Sequence, residues 1–460
     1  MTPHQNKSVL VLGLGETGLS MVRWLSTQSA RLRVADTRSA PPGLAQAAEY
    51  VAAEQIFCGN FNDALFDGIE MIAISPGVPL KDPMVARAVA RGVEVVGDIE
   101  LFAQSLPKDN RPQILAITGA NGKTTVTSMV EHICKTAGKD AVAAGNISPA
   151  VLDVVLERGA NQPEVWVLEL SSFQLETTSS LSADAATVLN ISEDHLDRYA
   201  DMNEYSAAKA RIYSGCSIQV LNRDDERCMS MARAECKNIT FGLNMPAVES
   251  DFGIERADEE IWLVQGTQRL LKASELRVHG LHNVANALAA LALSSAINFP
   301  MHTMLDALRS FKGLPHRVER VAEIDGVTYY DDSKGTNVGA TIAALQGLEC
   351  KSVLIAGGEG KGQNFAPLSP AVAQHARAVV LIGRDAAIIA AALSGCGVKV
   401  TFAEDMNDAV VQASRLAQSG DAVLLSPACA SFDMFRNYEH RAEMFVQAVQ
   451  DWQQEAIWHR

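Results

Sequence analysis

Short apolar runs rich in β-branched residues alternate along this chain with longer stretches of helical periodicity. The runs cover residues 8–12, 32–35, 71–74, 114–118, 165–170, 352–356, 378–382 and 422–425. A strand that is apolar throughout suits a parallel sheet covered on both faces, and such sheets are built from βαβ units. The pattern therefore predicts an α/β fold of mostly parallel sheets flanked by helices. The rhythm pauses over residues 97–112, where Pro107-Lys-Asp-Asn-Arg-Pro112 is polar and bracketed by proline. It pauses again at Gly313-Leu-Pro315, where a helical stretch stops and new strands begin at Val318. Three domains are expected, at 1–98, 99–314 and 315–460, in keeping with a length too great for one core. Residues 215–277 read as β-rich and polar, an antiparallel extension of the middle domain.

Composition narrows the classes. Hydrophobic residues make up 48% and charged residues 20%, ordinary for a globular protein and unlike a disordered one. The 39 basic and 54 acidic residues leave a formal charge of −15, which argues against general nucleic-acid or anionic-membrane binding. None of the eight cysteines forms a C-x-x-C pair, so free, mostly buried thiols in a reducing compartment are expected. Lys7 precedes an apolar run, but Gly13, Gly15 and Glu16 interrupt it and no small-residue cleavage site follows. No apolar stretch is long enough to span a membrane. The expectation is a soluble, cytoplasmic monomer.

The sharpest chemical signal follows the run at 114–118, in Gly119-Ala-Asn121-Gly122-Lys123-Thr124-Thr125 ahead of a helical pattern. Glycines there let backbone N–H groups approach phosphate oxygens, and the helix N-terminus adds a favourable dipole. Lys123 is expected on the β/γ-phosphates and the Thr124 hydroxyl on Mg²⁺. The loop is shorter than G-x-x-x-x-G-K-[ST], because Ile117 stands where the first glycine belongs. Glu169 closes an otherwise apolar run, a place where an unpaired carboxylate is costly, so a metal cation is its expected partner. His195, after another apolar run, is placed to face the phosphates. Lys209, in Tyr205-Ser-Ala-Ala-Lys209, reads on its own as a solvated surface lysine. Gly13-Leu-Gly15-Glu-Thr-Gly18, with Asp36 ending the next strand, has the form of a dinucleotide fingerprint; it fits NAD or a nucleotide-linked substrate. Ser75-Pro76-Gly77 sits at the same sheet edge.

Taken together, these residues resemble the Mur ligases, ATP-dependent enzymes of peptidoglycan synthesis, across all three domains. The resemblance is carried by Thr118-Gly-Ala-Asn-Gly-Lys-Thr124, Leu168-Glu-Leu-Ser-Ser-Phe-Gln174, Asn190-Ile-Ser-Glu-Asp-His195-Leu-Asp-Arg198, His282-Asn-Val-Ala-Asn286 and Leu314-Pro-His-Arg317. Two further blocks, Asp331-Asp-Ser-Lys-Gly-Thr-Asn337 and Ser426-Pro-Ala-Cys-Ala-Ser-Phe-Asp433, resemble the members that use D-glutamate. The resemblance implies a Rossmann-like first domain, a P-loop-ATPase-like middle domain and a Rossmann-like third domain. It implies ATP and two magnesium sites, with UDP-N-acetylmuramoyl-L-alanine and D-glutamate as substrates. Gly15, Glu16, Thr17, Asp36, Thr37, Arg38, Ser75 and Gly77 would hold the UDP moiety, Glu16 through its backbone. Asn146 would reach the sugar nucleotide or the metal region. Asn283 and Asn286 would approach adenine, and Arg317 and Asp332 would reach the nucleotide from the third domain. Thr124 and Glu169 would serve one magnesium; His195 and a carbamylated Lys209 would serve the other. Lys334, Thr336, Lys361, Ser431, Phe432 and, more loosely, Tyr438 would form the amino-acid pocket. Beside this stand a related ligase for another amino acid, an NAD-dependent dehydrogenase built on the first domain, and a non-catalytic nucleotide-binding regulator.

Overall fold

The computed structural model describes residues 4–107, 109–194, 198–278, 280–348 and 350–458. Three sheets follow one another along the chain. The first has five parallel strands in the order Ile56–Cys58, Arg31–Asp36, Ser8–Leu12, Met71–Ile74, Glu94–Val96. Its order reverses beside Ser8–Leu12, so a crevice opens beyond the ends of this strand and Met71–Ile74. Gly13 and Ser75 stand at those ends.

The second sheet has nine strands: Gln268–Lys272, Glu260–Gln265, Phe252–Ala257, Lys237–Phe241, Ile218–Asn222, Ala185–Val188, Gln113–Thr118, Val165–Glu169, Ala141–Gly145. The antiparallel extension is confined to the three strands between Phe252 and Lys272. Ile218–Asn222 and Lys237–Phe241 continue the parallel sheet. The third sheet runs Glu319–Ile324, Val327–Asp331, Ala422–Leu425, Ser352–Gly357, Ala376–Ile382, Lys399–Phe402, and only its first pair is antiparallel.

The first two sheets share a core. One apolar cluster runs from Val9, Val11 and Met71 through Ile99 and Phe102 to Ile114, Trp166 and Leu168. Phe102 meets Trp166 edge-on, with ring centroids 4.8 Å apart. Phe102 belongs to the region, residues 97–112, where the strand–helix rhythm was expected to pause. That segment in fact holds a helix, Asp98–Ser105, whose Ile99, Leu101 and Phe102 are buried. The third sheet has its own clusters, formed only by residues from 318 onward. Of the eight free thiols, Cys134, Cys216, Cys228 and Cys429 are buried and Cys58 is exposed. No helix among the described residues is long and apolar enough to cross a membrane.

Asp98 lies at this first junction. It is fully enclosed, its Oδ2 accepts from Gln174 Nε2 at 3.0 Å, and burial pushes its carboxyl up to about 6. An acid whose folded pKa is raised favours folding below its unfolded pKa, and that contribution is lost as pH rises through the folded value. Asp98 should therefore lower stability between about pH 4 and pH 6, by about 3 kcal/mol in all. Asp98→Asn should be more stable than the parent at pH 7 and indistinguishable from it near pH 3.5. Urea unfolding at the two pH values checks this, and equal midpoints at pH 7 would contradict it.

Candidate active site

Three segments converge at the carboxyl edge of the middle sheet. Leu170 N bonds to Ile117 O at 2.8 Å, Leu189 N to Thr118 O at 2.9 Å, and Ala120 N to Asn190 O at 2.9 Å. The loop after Thr118 is thereby held against those after Glu169 and Val188. Gly119 and Gly122 have φ of +153° and +82°. At Gly122 a Cβ would come within 2.6 Å of Asn286 Oδ1, so glycine is required both by conformation and by space. The next helix, Lys123–Thr136, starts with no side-chain cap, which leaves its first N–H groups for a ligand. Asn121 is fixed from two sides: its N–H donates to Asn190 Oδ1 at 2.8 Å, and its Oδ1 accepts from Asn337 Nδ2 at 3.0 Å. Asn337 belongs to the third domain, so this bond bridges the domains. Thr125 is buried behind the loop.

Two lysines meet at one carbonyl. Lys123 Nζ donates to Gly119 O and Ala120 O, both at 2.9 Å, and so folds back over the loop. Lys209 Nζ donates to Gly119 O at 2.9 Å and Thr118 Oγ1 at 3.3 Å. Lys209 is 2% exposed, which overturns the solvated reading its own sequence suggested. Helix Met202–Ala210 turns it inward, above the Tyr205 ring at 4.8 Å. Burial, and then the charge of Lys123, hold the Lys209 amine well below the ordinary lysine range; Asp194 and Glu169 oppose this. Burial also lowers Lys123.

Glu169 lies at the end of its strand, 2% exposed. Its Oε1 accepts from Asn146 Nδ2 at 2.8 Å, while Oε2 has no hydrogen-bond partner among the described residues. A buried carboxylate oxygen left unpaired fits a divalent cation, which prefers hard oxygen ligands. His195 lies outside the described residues.

A cavity of about 900 Å³ spans the three domains. Gly15, Glu16, Thr17, Ser75 and Gly77 line it from the first domain, together with Asp36, Thr37 and Arg38. Thr124 and Asn146 line it from the middle, and Arg317, Lys334 and Tyr438 from the third. Asp36 is occupied internally. Its carboxylate accepts from Leu14 N at 2.7 Å and from Arg38 N, Nε and Nη2 at 2.7–2.9 Å. Burial opposes ionisation, but these donors outweigh it and hold Asp36 at about 2. Its observed work is to shape the glycine turn and orient Arg38. The side chain of Glu16, a residue expected to contact the UDP moiety through its backbone, accepts from Ser148 Oγ at 2.7 Å and ties the first domain to the middle one.

Lys334 lies 3.6 Å over the Tyr438 ring; burial and then Arg317 push it down to about 8, with Glu169 opposing. Burial also lowers Arg317, against Glu169 and Asp332. Asp332 is buried, accepts from Ser426 Oγ at 2.6 Å, and is pushed up to about 7 by burial. Thr336 donates its N–H to Lys334 O at 2.9 Å. Asn283 and Asn286 pair at 3.2 Å on helix Leu281–Ala296, against Gly122. The remaining amino-acid-pocket candidates lie elsewhere. Ser431 is buried, Phe432 is 69% exposed, and neither lines this cavity; Lys361 lines a second one.

Three participants stand in the quoted blocks but were assigned no role there. Gln174 and His316 line the cavity, and Asn337 bridges to Asn121. Gln174 had a local signal: Ser171 and Gln174 form a capping box at the start of helix Ser172–Glu176. Asn337 had a comparable one, as the side-chain cap of helix Val338–Gly347. His316 had its place in the block Leu314-Pro-His-Arg317; its Nδ1 lies 2.7 Å from Asp331 Oδ2.

Replacing Gly122 tests the loop. Gly122→Ala should destabilise the middle domain by about 1–2 kcal/mol, since its φ is left-handed and its Cβ meets Asn286. A thermal melt that matches the parent would show the loop to be more accommodating than its geometry indicates.

Family models match the three sheets in turn. A Mur ligase MurD-like N-terminal domain matches residues 7–97, a Mur ligase middle domain 117–294, and a Mur ligase glutamate ligase domain 316–429. The chain is 57% identical over 457 residues to the UDP-N-acetylmuramoylalanine–D-glutamate ligase of Methylobacillus flagellatus, covering 99% of this chain and 100% of that one. It is 56% identical over 455 residues to the enzyme of the same name from Nitrosomonas europaea, covering 97% and 96%. Among solved structures, the UDP-N-acetylmuramate-alanine ligase of Thermotoga maritima superposes with a TM-score of 0.60 at 21% identity, covering 96% of this chain and 99% of that chain. A pseudomurein peptide ligase type C from Methanothermus fervidus gives the same TM-score, 0.60, at 19% identity, covering 96% of this chain and 100% of that one. These two distant likenesses speak to the fold. The match of all three family models, with relatives more than half identical along nearly the whole length, establishes that the chain belongs to the Mur ligase family.

Proposed function

We propose that this chain is a cytoplasmic ATP-dependent ligase that adds D-glutamate to UDP-N-acetylmuramoyl-L-alanine in peptidoglycan precursor synthesis. One observation carries the reading: a single cavity joins the first domain's nucleotide fingerprint, the helix start at Thr124 and the third-domain cations Arg317 and Lys334. The relatives that share more than half of its residues act on that substrate pair by name. A dehydrogenase on the first domain alone leaves the loop at 119–124 and the two lysines that converge on Gly119 O unexplained.

In this reading the division at 98 and 314 separates three tasks. The first domain holds the UDP moiety along Gly15, Thr17, Arg38, Ser75 and Gly77, with Asp36 setting the turn. The loop amides from Gly119 to Thr124 cradle the triphosphate, and Asn283 and Asn286 lie toward adenine. The substrate carboxylate attacks the terminal phosphorus and ADP leaves. Lys123, with Arg317, stabilises the charge on the transferring group. The amine of D-glutamate then attacks the acyl carbon, phosphate departs, and the amine proton is lost. Thr124 and Glu169 would hold a magnesium ion, whose charge would neutralise phosphate oxygens.

Lys209 fits carbamylation. Two ammonium groups on one carbonyl repel, so one is best neutral, and a neutral amine can add to carbon dioxide with loss of a proton. The carbamate would reverse the local charge and offer oxygens to a second magnesium, together with His195. Third-domain closure about Gly313-Leu-Pro315 would exclude water from the acyl phosphate. Lys334, Thr336, Lys361 and Ser431 serve the amino acid from this domain. Phe432, exposed in this arrangement, would join them only on closure.

Phosphate release, measured with UDP-N-acetylmuramoyl-L-alanine, ATP and a panel of D- and L-amino acids, should appear with D-glutamate alone. Release with a different amino acid would reassign the specificity, and none at all would remove the ligase. Lys123→Ala should lower kcat by roughly 10²–10³-fold. Lys209→Ala should be inactive and partly restored by short-chain carboxylates. Full activity in Lys209→Ala would end the carbamate role.

A further inference from the structure

Gln174 lines the large cavity, and its amide is held in one orientation from two sides. Its Oε1 accepts from Ser171 N at 3.1 Å and from Ser171 Oγ at 3.2 Å. Its Nε2 donates to Asp98 Oδ2 at 3.0 Å. A carboxamide has two N–H donors and two acceptor lone pairs. Ser171 takes both lone pairs and Asp98 takes one N–H. Asp98 Oδ2 is the one acceptor of Nε2 among the described residues, so the second N–H is left over.

Asp98 itself does not line the cavity; it stands behind Gln174 at the start of helix Asp98–Ser105. Gly97 lies against Thr177, where a Cβ would collide with Oγ1, so this helix start is locked at contact with the segment after Gln174. An asparagine would fit the place of Asp98 and, by the argument given above, would be the more stable residue at pH 7. What the ionised carboxylate supplies is an acceptor that cannot donate, so Nε2 and never Oε1 turns toward it. Its charge also makes the hydrogen bond stronger than a neutral pair would be. A protonated acid or an asparagine can both donate and accept, and lacks the charge.

Burial alone raises the Asp98 carboxyl; Gln174 and the first backbone N–H groups of the helix oppose it, and no charged side chain contributes. The charges on the elements packed around it are engaged elsewhere. Glu100 accepts from Ser179 and Ser180, and Glu176 pairs with Arg198. Asp153 pairs with Arg23, Arg158 with Asp140, and Glu94 with Lys7, while Glu16 is bonded to Ser148 and Glu157 is exposed.

We propose that Asp98 is a positioning residue for the UDP-sugar substrate. Its carboxylate fixes the Gln174 amide so that the remaining N–H donates to a substrate oxygen between the first domain's glycine turn and the loop at 119–124. This inference rests on the ligase reading above and adds to it a residue that never touches the substrate.

Calorimetric titration of the full-length chain with UDP-N-acetylmuramoyl-L-alanine, in the absence of ATP, tests it. The parent, Asp98→Asn, Gln174→Ala and the double variant are compared at about pH 8 and about pH 5, on either side of the Asp98 titration at about 6. At the higher pH Asp98→Asn should raise Kd roughly fivefold. The contribution of an ionised Asp98 is present above its pKa and lost as pH falls through it. At the lower pH the parent should therefore bind within about twofold of Asp98→Asn. Other groups that titrate are common to both proteins and cancel in the ratio. Gln174→Ala should weaken binding roughly tenfold, and in its background Asp98→Asn should add nothing. Should Gln174→Ala fail to fold, the two pH values on Asp98→Asn decide alone. Equal affinities of parent and Asp98→Asn at the higher pH, a gap that persists at the lower one, or additive effects in the double variant would overturn the proposal. A parent that does not bind the UDP substrate would overturn the ligase reading and this inference with it.

Discussion

Everything in the middle domain turns on the carbonyl of Gly119, where two lysine amines, one buried on Lys209 and one half-buried on Lys123, each lie 2.9 Å from one oxygen. Like charge gathers there in a desolvated place: burial lowers the titration of both amines, and at Lys209 the charge of Lys123 adds to it. The fold tolerates it because the loop is pinned from outside by the Ala120–Asn190 and Asn121–Asn190 bonds. Such a site is poised for something strongly negative. In the proposed reading a polyphosphate at the loop would answer Lys123, a carbamate on Lys209 would relieve the other half of the conflict, and Glu169 Oε2, without a hydrogen-bond partner among the described residues, would serve a cation.

The three domains are joined by different physics. The first two are fused through apolar contact, with Phe102 against Trp166 and a continuous cluster on either side. Their relative position is therefore as fixed as any core, which suits a site that must hold a nucleotide sugar at a set distance from the loop. The third domain has a core of its own and reaches the middle one through polar links such as Asn337 to Asn121. A polar joint can be broken and remade at little cost, whereas a shared core cannot. Movement in this molecule is accordingly assigned to the third domain, which carries Arg317 and Lys334 to the cavity and Lys361 to its neighbour.

The sheets were legible because strands buried on both faces leave long apolar runs, and the nucleotide loop was legible because glycine, lysine and threonine have few other reasons to share that spacing. The helix Asp98–Ser105 was masked by the polar segment that follows it. Lys209 was illegible from its own surroundings: helix Met202–Ala210 has no clear apolar stripe, and only its packing on the loop turns the lysine inward. Asp36 had the place of a ribose-binding acid, but its partner Arg38 is two residues away and captures it. Asn337 carries a helix-cap signal, but its bond to Asn121 joins distant parts of the chain and leaves no local pattern.

The central claim is that the amides from Gly119 to Thr124 hold a triphosphate whose last group is handed to a carboxylate. A crystal structure of the chain with a non-hydrolysable ATP analogue and magnesium tests it most directly. The account predicts the triphosphate along this loop, Lys123 Nζ released from the Gly119 and Ala120 carbonyls onto a terminal phosphate oxygen, and a magnesium ion on Glu169. A nucleotide found only at the first domain's glycine turn, with Lys123 still folded over its own loop, would contradict it.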